Sequence, residues 1–176
     1  GISGPTAPVE AISPEAWQKT LDIGLTGAFN AARAVIPIMK AQSSGAIVNI
    51  ASNAGLMGCP NRSPYVAAKW ALIGLTKTWA MELGSYNVRV NALCPASVEG
   101  ARIDAVIARD ATARGVSEDA IRSVYERQSS LRAFTREEDI AAMVCYLAGD
   151  QGIRISGQAI GIDGHTETLT NWLESP

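Results

Sequence analysis

Three side chains that could act together on one oxygen atom lie close in the sequence: Ser52, Tyr65 and Lys69. Tyr65 and Lys69 are four positions apart, so on a helix they share one face. An ammonium one helical turn away favours the phenolate and lowers the pKa of a tyrosine, which suits Tyr65 to general acid–base catalysis. A hydroxyl from Ser52 would polarise the same oxygen. The pattern therefore predicts proton transfer to a carbonyl or alcohol oxygen.

The neighbouring residues predict the elements that hold these side chains. Residues 46–51 are apolar and largely β-branched, which predicts a buried strand with Ser52 at its carboxyl end, where open α/β sheets place their chemistry. A helix is predicted from Pro64 to Leu83, with Ser63 as its cap. Because this helix is apolar on most sides, we expect it to be buried all round.

In order, these residues form the pattern S-x12-Y-x3-K after a strand I-V-N-I-A-S, which resembles the active site of the short-chain dehydrogenase/reductase family. The resemblance implies an α/β fold: a Rossmann-like, doubly wound parallel sheet, truncated here to its last three strands with their helices. It implies NAD(P)-dependent hydride transfer between an alcohol and a carbonyl compound. In that role Tyr65 is the acid/base, and Lys69 tunes it and binds the nicotinamide ribose. The alternative is a tyrosine and a lysine on a solvated helical face.

Composition places the chain among globular proteins. Its 176 residues, 47% of them hydrophobic, suffice for one domain over residues 1–176. A net charge of −2 without a run of like charges predicts neither nucleic acid nor a membrane surface as a partner. Cys59, Cys94 and Cys145 are scattered and His165 is the single histidine, so neither a metal nor a disulfide framework is expected. No apolar stretch reaches membrane-spanning length. We expect a soluble, cytoplasmic protein.

A glycine-rich turn that would bind the cofactor phosphates is not found in the sequence. A dinucleotide fold places this turn after its first strand. Gly55-x-x-Gly58 leads into Pro60, and Gly161-x-x-Gly164 leaves too little chain for a helix. In the family, the acidic or basic residue that distinguishes NAD from NADP follows the second strand, which we expect to lie outside this sequence, so the choice between them is not fixed.

The resemblance aligns Gly1 with the glycine of the family's N-N-A-G strand ending, so we expect the first third of the fold to be missing. The strand at 46–51 would then have an unpaired apolar edge, which proteins avoid. We expect either further residues of the protein or a partner to supply the missing half. The alternative to an oxidoreductase is an incomplete or degenerate domain acting as a non-catalytic assembly subunit, and a lyase or isomerase is a weaker third possibility.

A helix is predicted from Pro14, after the capping Ser13, to residue 39 or 40. Gly24 and Gly27 lie inside it, which indicates a kink or close packing. Where the family has an asparagine in a segment D-V-N-L-T-G, this chain has Gly24. Our hypothesis is that the main-chain carbonyl of Gly24 keeps the family's proton-relay water; loss of the relay and slow turnover is the competing interpretation.

A second strand is predicted at 87–93, and the resemblance implies that the segment after it forms the nicotinamide wall. The residues carried over are Pro95, Ala96, Ser97 and Val98. The family's P-G-x-V-x-T is changed at its glycine and threonine, so the threonine contact is lost while a carboxamide contact with the Val98 backbone remains plausible. The alternative is a plain strand-to-loop turn.

Residues 96–131 form a mostly polar excursion with two helical segments, 103–113 and 117–127, and such elements make substrate lids. The resemblance places the substrate here and at further residues, although the substrate itself is not fixed. Besides the hydroxyls of Ser52 and Tyr65, the expected substrate-binding residues are Ala54, Asn61 and Arg62. Arg62 could meet an anionic group, but a lone loop arginine is more often solvated.

The last third of the sequence predicts one helix and one strand. Residues 135–138 read as a capping box before a helix that reaches Ala148, and 156–164 resembles the family's last strand. His165 follows it and is expected to be a loop histidine rather than a proton donor. The resemblance also implies a homodimer or homotetramer formed through the helices at 14–40 and 64–83.

Overall fold

A computed structural model describes residues 1–170 and 173, and a three-stranded parallel sheet lies at its centre. The strands are β1 (Gly45–Ile50), β2 (Val88–Pro95) and β3 (Ala159–Ile162), in the order β1-β2-β3. Residues 45–50 pair with 88–93, and 92–95 pair with 159–162. Helices connect the strands, so the predicted α/β class with a parallel sheet is confirmed.

Six α-helices accompany the sheet within the described residues. They are α1 (Pro14–Leu21), α2 (Gly27–Gln42), α3 (Ser63–Leu83), α4 (Ala101–Arg114), α5 (Glu118–Glu126) and α6 (Glu137–Ala148). Helices α2 and α3 pack on one face of the sheet, because the β2 side chains of that face join theirs in two buried clusters. One cluster contains Ala32, Trp79, Leu83, Val88 and Val90, and the other contains Ala51, Leu72, Ile73, Ala92 and Cys94.

The opposite face of β2 holds α6 and the connection to β3 through polar side chains. The Arg89 guanidinium donates to four main-chain carbonyls at the end of α6 and just after it, those of Leu147, Ala148, Gly149 and Gly152. The Asn91 amide donates to the Ile155 carbonyl at 2.8 Å and accepts from the Gln158 N–H at 3.1 Å. The Arg89 contacts satisfy main-chain carbonyls that the end of α6 leaves unpaired, and the Asn91 contacts hold the connection to β3.

The long predicted helix at 14–40 is interrupted. A π-helical turn, Asp22–Thr26, separates α1 from α2. Gly24 lies in this turn, and a Cβ built there would be 3.3 Å from the Cβ of Ala68 on α3. The expected kink and the expected close packing are therefore both present, and Ser13 caps α1 by accepting from the Ala16 N–H as predicted.

Two predictions of helix caps were wrong. Ser63 is the first residue of α3 rather than its cap, and Arg62 takes the cap position without a side-chain hydrogen bond. Arg136, not Thr135, caps α6, and its N–H donates to Asp139 at 3.0 Å. The Thr135 hydroxyl donates instead to the Ile162 carbonyl at 2.7 Å, because β3 lies beside it.

The sequence predicted that helix α3 is buried all round, and this prediction was wrong. The Trp70 side chain is 50% exposed and that of Met81 is 87% exposed. The buried side of α3 faces the sheet, and its exposed side carries Trp70 and Met81 among polar residues such as Lys77 and Glu82. The strand predicted at 156–164 is also shorter than expected, because only Ala159–Ile162 pairs with β2.

The excursion at 96–131 carries α4 and α5 in nearly the predicted positions. The two helices share a small core of their own, made of Ile103, Ile107, Ala111 and Ile121. Two isolated backbone bridges attach the excursion to the rest of the chain: Val98 pairs with Thr135, and Ser129 pairs with Thr166.

Within residues 1–170 and 173, β1 pairs on one side only, and Ile50 at its end is exposed. Every helix in this part of the chain is too short or too polar to cross a bilayer. No group of three or more histidine, cysteine, aspartate or glutamate side chains there is arranged for a metal. The three cysteines are free, with Cys94 buried and Cys145 exposed.

Candidate active site

Ser52 lies just beyond the carboxyl end of β1, where a short 3-10 turn, Asn53–Gly55, begins. Its backbone is extended, and its hydroxyl oxygen accepts from the Ala54 N–H at 3.2 Å. The same hydroxyl donates to the Asn53 side-chain oxygen at 3.2 Å. Ser52 is buried and held at two points, so its oxygen has a defined position at the end of the sheet.

Tyr65 and Lys69 occupy successive turns at the start of α3, as predicted. The Lys69 ammonium lies 5.5 Å from the centroid of the Tyr65 ring and donates to the Ile50 carbonyl at 2.8 Å. Gly55 lies directly against the backbone of Lys69, because a Cβ there would be 2.9 Å from the Lys69 carbonyl oxygen. The structure therefore fastens the start of α3 to the strand end that carries Ser52.

Burial dominates the electrostatics of this region. The pKa of Lys69 lies below its usual value of 10.5, chiefly because burial disfavours the ammonium and secondly because Arg102 repels it. Burial also raises the pKa of the neighbouring Cys94 thiol to about 11, so this thiol is neutral at physiological pH. Charges near Ser52 are thus poorly screened by water, and they interact more strongly than on an open surface.

Arg62 is not a solvated loop arginine. Its side chain is half-buried and donates to the Ser3 carbonyl at 2.8 Å. Its guanidinium carbon lies 4.9 Å from the centroid of the Tyr65 ring. The Nε of Arg62 is buried and has no hydrogen-bond partner among the described residues. The guanidinium of Arg62 is therefore held in place beside the Tyr65 ring.

The other two predicted substrate residues lie in different settings. Ala54 is buried, and its N–H already donates to the Ser52 hydroxyl. Asn61 is exposed with a positive φ of 62°, and its carbonyl accepts from the Ala7 N–H at 3.0 Å. Their contacts with a substrate stay predictions.

The segment from Pro95 to Val98 follows the end of β2 and lies beside Ser52. Val98 pairs with Thr135 through the peptide groups of its neighbours, since Thr135 donates to Ser97 at 3.0 Å and Glu99 donates to Thr135 at 2.9 Å. In a parallel pairing this geometry directs the N–H and carbonyl of Val98 itself away from Thr135. These two groups match the donor and acceptor of a carboxamide.

The remaining residues of this segment have separate roles. Pro95 is buried as the last residue of β2, while Ala96 and Ser97 are half-buried. The Ala96 N–H donates to the Ile162 carbonyl at 3.2 Å, which fixes the turn against β3. The segment is consistent with the predicted nicotinamide wall.

Sequence reasoning missed three residues around this site. Asn53 is buried and its amide donates to the Thr166 hydroxyl at 3.0 Å, although the two residues are 113 positions apart. Arg102, at the start of α4, is close enough to affect the pKa of Lys69. No periodicity or motif marks these residues; a polar side chain directly after Ser52 was the one available signal, for Asn53.

Comparisons with known proteins identify the family of the chain. A family model described as enoyl-(acyl carrier protein) reductase matches residues 1–165. D-beta-hydroxybutyrate dehydrogenase from Rhizobium meliloti (strain 1021) is 36% identical over 157 residues, covering 89% of this chain and 61% of that protein. A 3-oxoacyl-[acyl-carrier-protein] reductase from Thermotoga maritima is 35% identical over 150 residues, covering 85% of this chain and 56% of that protein.

A solved structure also resembles the chain closely. A 4-hydroxyisoleucine dehydrogenase mutant complexed with NADH and succinate is 36% identical, with a TM-score of 0.82, covering 95% of this chain and 65% of that one. The chain thus spans between about half and two thirds of the length of these proteins. With a family match over almost the whole sequence and relatives above 30% identity, the chain belongs to the short-chain dehydrogenase/reductase family.

Proposed function

We propose that this protein is an NAD(P)-dependent oxidoreductase that interconverts an alcohol and a carbonyl compound, with Tyr65 as acid/base. The observation that carries the proposal is the anchored ammonium of Lys69. It lies 5.5 Å from the Tyr65 ring and is bound at 2.8 Å to the strand end that presents Ser52. A hydroxyl, a phenol and an ammonium therefore belong to one small region of the fold.

The three side chains divide the work on the substrate oxygen. In the reductive direction, Tyr65 donates its phenolic proton to the carbonyl oxygen as that oxygen gains negative charge. Ser52 donates a hydrogen bond to the same oxygen and stabilises that charge. Lys69 has three N–H donors, one of which is engaged with Ile50, and its charge stabilises the phenolate left behind. Oxidation of an alcohol reverses these proton movements.

A nicotinamide dinucleotide, NAD or NADP, supplies or accepts the hydride when it is bound. The relatives support this cofactor, since the 4-hydroxyisoleucine dehydrogenase structure contains NADH. In this chain, the backbone of Val98 would hold the carboxamide, Pro95, Ala96 and Ser97 would wall the ring, and Lys69 would bind the ribose. Residues 96–131, called the lid segment from here on, would cover the substrate.

Arg62 points to the substrate class, which we propose is a hydroxy carboxylic acid or the corresponding oxo acid. Its guanidinium lies beside Tyr65 and suits a carboxylate, because an arginine binds that group through several donors at once. Two relatives are named for hydroxy acids, hydroxybutyrate and hydroxyisoleucine. The reductase named for 3-oxoacyl groups on acyl carrier protein offers the alternative substrate, a thioester without a free carboxylate.

The cofactor phosphates need a further part of the fold. We propose that the free edge of β1 pairs with another strand and that a glycine-rich turn is supplied with it, either by a longer form of the protein or by a partner. If no hydride transfer occurs, the alternative functions are a non-catalytic assembly role and a lyase or isomerase activity. The cytoplasmic location stays a prediction.

We also propose a homodimer or homotetramer formed through the helices at 14–40 and 64–83. Apolar side chains are exposed on both, including Phe29 and Ile38 on α2 and Trp70 and Met81 on α3. A groove of about 240 Å³ runs between α2 and α3 and is lined by Phe29, Trp79 and other residues of the two helices. Light scattering of wild type and of Met81→Glu would measure this association, and a dimer unaffected by the charge would contradict this surface.

The decisive experiment titrates the protein with NADH and NADPH and follows the fluorescence of Trp70 and Trp79. Oxidation of 3-hydroxybutyrate and of 4-hydroxyisoleucine is then compared with that of neutral secondary alcohols and with reduction of a 3-oxoacyl thioester. We expect the protein to turn over a hydroxy acid. Arg62→Met should weaken binding of that substrate and so raise its KM. With the glycine-rich turn present, cofactor binding without any hydride transfer, or no binding at all, would reject the proposal.

A further inference from the structure

A chain of hydrogen bonds leads away from Ser52 into the interior of the protein. The Ser52 hydroxyl donates to the Asn53 side-chain oxygen at 3.2 Å, and the Asn53 side-chain nitrogen donates to the Thr166 hydroxyl at 3.0 Å. All three side chains are buried, and Asn53 is only 5% exposed. Because Thr166 accepts from the nitrogen end of the amide, the oxygen end is left to face Ser52.

Thr166 belongs to the segment that holds the far end of the lid segment. Ser129 and Thr166 form an antiparallel bridge. On either side of it, the Ser130 N–H donates to the His165 carbonyl at 3.0 Å and the Glu167 N–H donates to the Gln128 carbonyl at 2.8 Å. The position of Thr166 therefore depends on how the lid segment is seated.

A small polar cavity lies at this junction, with room for about one water molecule, close to 10 Å³. Asn53, Gln128, Ser129 and Thr166 line it together with Ala96 and Ser97 of the nicotinamide wall. The Ser129 hydroxyl is 4% exposed and has no hydrogen-bond partner among the described residues. Side-chain hydrogen bonds in such an enclosed place are strong, and losing one partner is costly.

We propose that Asn53 is a positioning residue that holds the Ser52 hydroxyl and couples it, through Thr166, to the seating of the lid segment. This inference rests on the proposed function for the role of Ser52, but the coupling itself does not. Asn53 contacts neither the Tyr65 phenol nor the Lys69 ammonium in the hydrogen bonds of the described chain, so it acts on the reaction through Ser52 alone.

The coupling predicts how a closed lid segment acts on Ser52. With Thr166 in place, the amide keeps its oxygen toward Ser52 and the serine oxygen stays fixed between Asn53 and Ala54. When the lid segment lifts, Thr166 moves, the amide is free to rotate and the Ser52 hydroxyl loses one of its two anchors. Oxygen polarisation and substrate enclosure are thereby linked.

The first test measures amide hydrogen exchange without any ligand, at Ser130, Leu131 and Glu167. Asn53→Leu, which keeps the volume of the side chain, and Thr166→Val each remove one link. We expect exchange about tenfold faster at these amides in both variants, corresponding to one lost hydrogen bond. Ser129→Ala is the matched control, since it removes a buried hydroxyl from the same cavity that takes no part in the chain of bonds.

The second test measures steady-state kinetics of the same variants with the substrate found above. Asn53→Leu should lower kcat by about ten- to a hundredfold through loss of alignment, with KM changed by less than about twofold. Asn53→Asp offers an acceptor to both hydroxyls, so it should restore part of kcat, with a pH profile that follows the new carboxylate.

The outcomes separate the two proposals. Exchange at these amides that stays at the wild-type rate in both Asn53→Leu and Thr166→Val would overturn the coupling. Faster exchange with a kcat equal to that of Ser129→Ala would overturn the positioning role. A wild-type protein without oxidoreductase activity would reject the proposed function, while the exchange measurement would still decide the coupling.

Discussion

The protein contains two regions of different construction: the sheet with α3, and the lid segment. In the first, β2 is buried between two strands and two layers of helices except at the half-buried Arg89, and the site residues lie at the end of β1 (Ser52) and the start of α3 (Tyr65 and Lys69). In the second, α4 and α5 pack around a small core of their own, and two isolated bridges connect them to the rest.

The difference indicates that the two regions have different functions. Acid–base chemistry needs fixed distances, which a buried sheet and a long helix supply. Recognition and enclosure of a substrate need a part that opens, and elements with few connections to the core open at a low free-energy cost. The variants below measure this contrast, beginning with the largest expected effect.

Tyr65→Phe should lower kcat by about a hundred- to ten-thousandfold, the range typical for removing a general acid or base. The aromatic ring remains, so the melting temperature should stay close to that of wild type. Cofactor oxidation in a spectrophotometer measures the effect. Tyr146→Phe, at an exposed position on α6, is the control and should leave kcat unchanged. If the two variants were equally active, Tyr65 would not be the acid/base.

Leu72→Ala and Ile121→Ala compare the two regions directly, because both side chains are almost fully buried. In the sheet region, Leu72→Ala should lower the free energy of global unfolding by about 2–5 kcal/mol. In the lid segment, Ile121→Ala should lower it much less and instead speed amide exchange within α4 and α5. Urea unfolding and hydrogen exchange provide the two readings. Equal global losses would show that the two regions unfold as one unit.

The pH dependence tests the burial of Lys69. Because its pKa is lowered from 10.5 in the folded protein, activity that needs the ammonium should fall on the alkaline side below pH 10.5. Stability should change in the opposite direction. Between the folded pKa and 10.5 the unfolded chain binds more protons, so the free energy of unfolding rises with pH. Lys69→Met should abolish the pH dependence of both the rate and the free energy of unfolding. If the variant kept these two pH dependences, a group other than Lys69 would be responsible for them.

Gly24→Asn has the smallest expected effect. If the Gly24 carbonyl keeps the relay water, an added amide should change turnover by less than about tenfold, equivalent to 1.4 kcal/mol. Some strain is expected, since a Cβ here lies 3.3 Å from the Cβ of Ala68. Steady-state kinetics with Gly24→Ala as the steric control measures this effect. A sharp rise in turnover for Gly24→Asn alone would favour a lost relay.

Local patterns in the sequence predicted the elements well. The β-branched run before Ser52, the alternation before Cys94 and the cap at Ser13 each reflect interactions within a few residues, and each corresponds to an element of the structure. The placement of Tyr65 and Lys69 on α3 followed in the same way from a helical repeat.

Distant partners explain what could not be predicted. Thr135 carries a local cap signal, but its hydroxyl is taken by Ile162, 27 positions away. Arg62 is held by Ser3, 59 positions away, which no local pattern reveals. Polar contacts across such separations depend on the final packing, so the surroundings of a site emerge only from the folded chain.

The π-helical turn at Asp22–Thr26 has a consequence for insertions and deletions. An α-helix advances by about 100° per residue, so a turn that contains one residue more rotates every later side chain by that angle. Shortening this turn by one residue would rotate Ala32, Ile36 and Met39 of α2 away from β2 and bring other side chains toward the core. The number of residues here fixes the rotational phase of α2, so a single deletion should be more harmful than most substitutions.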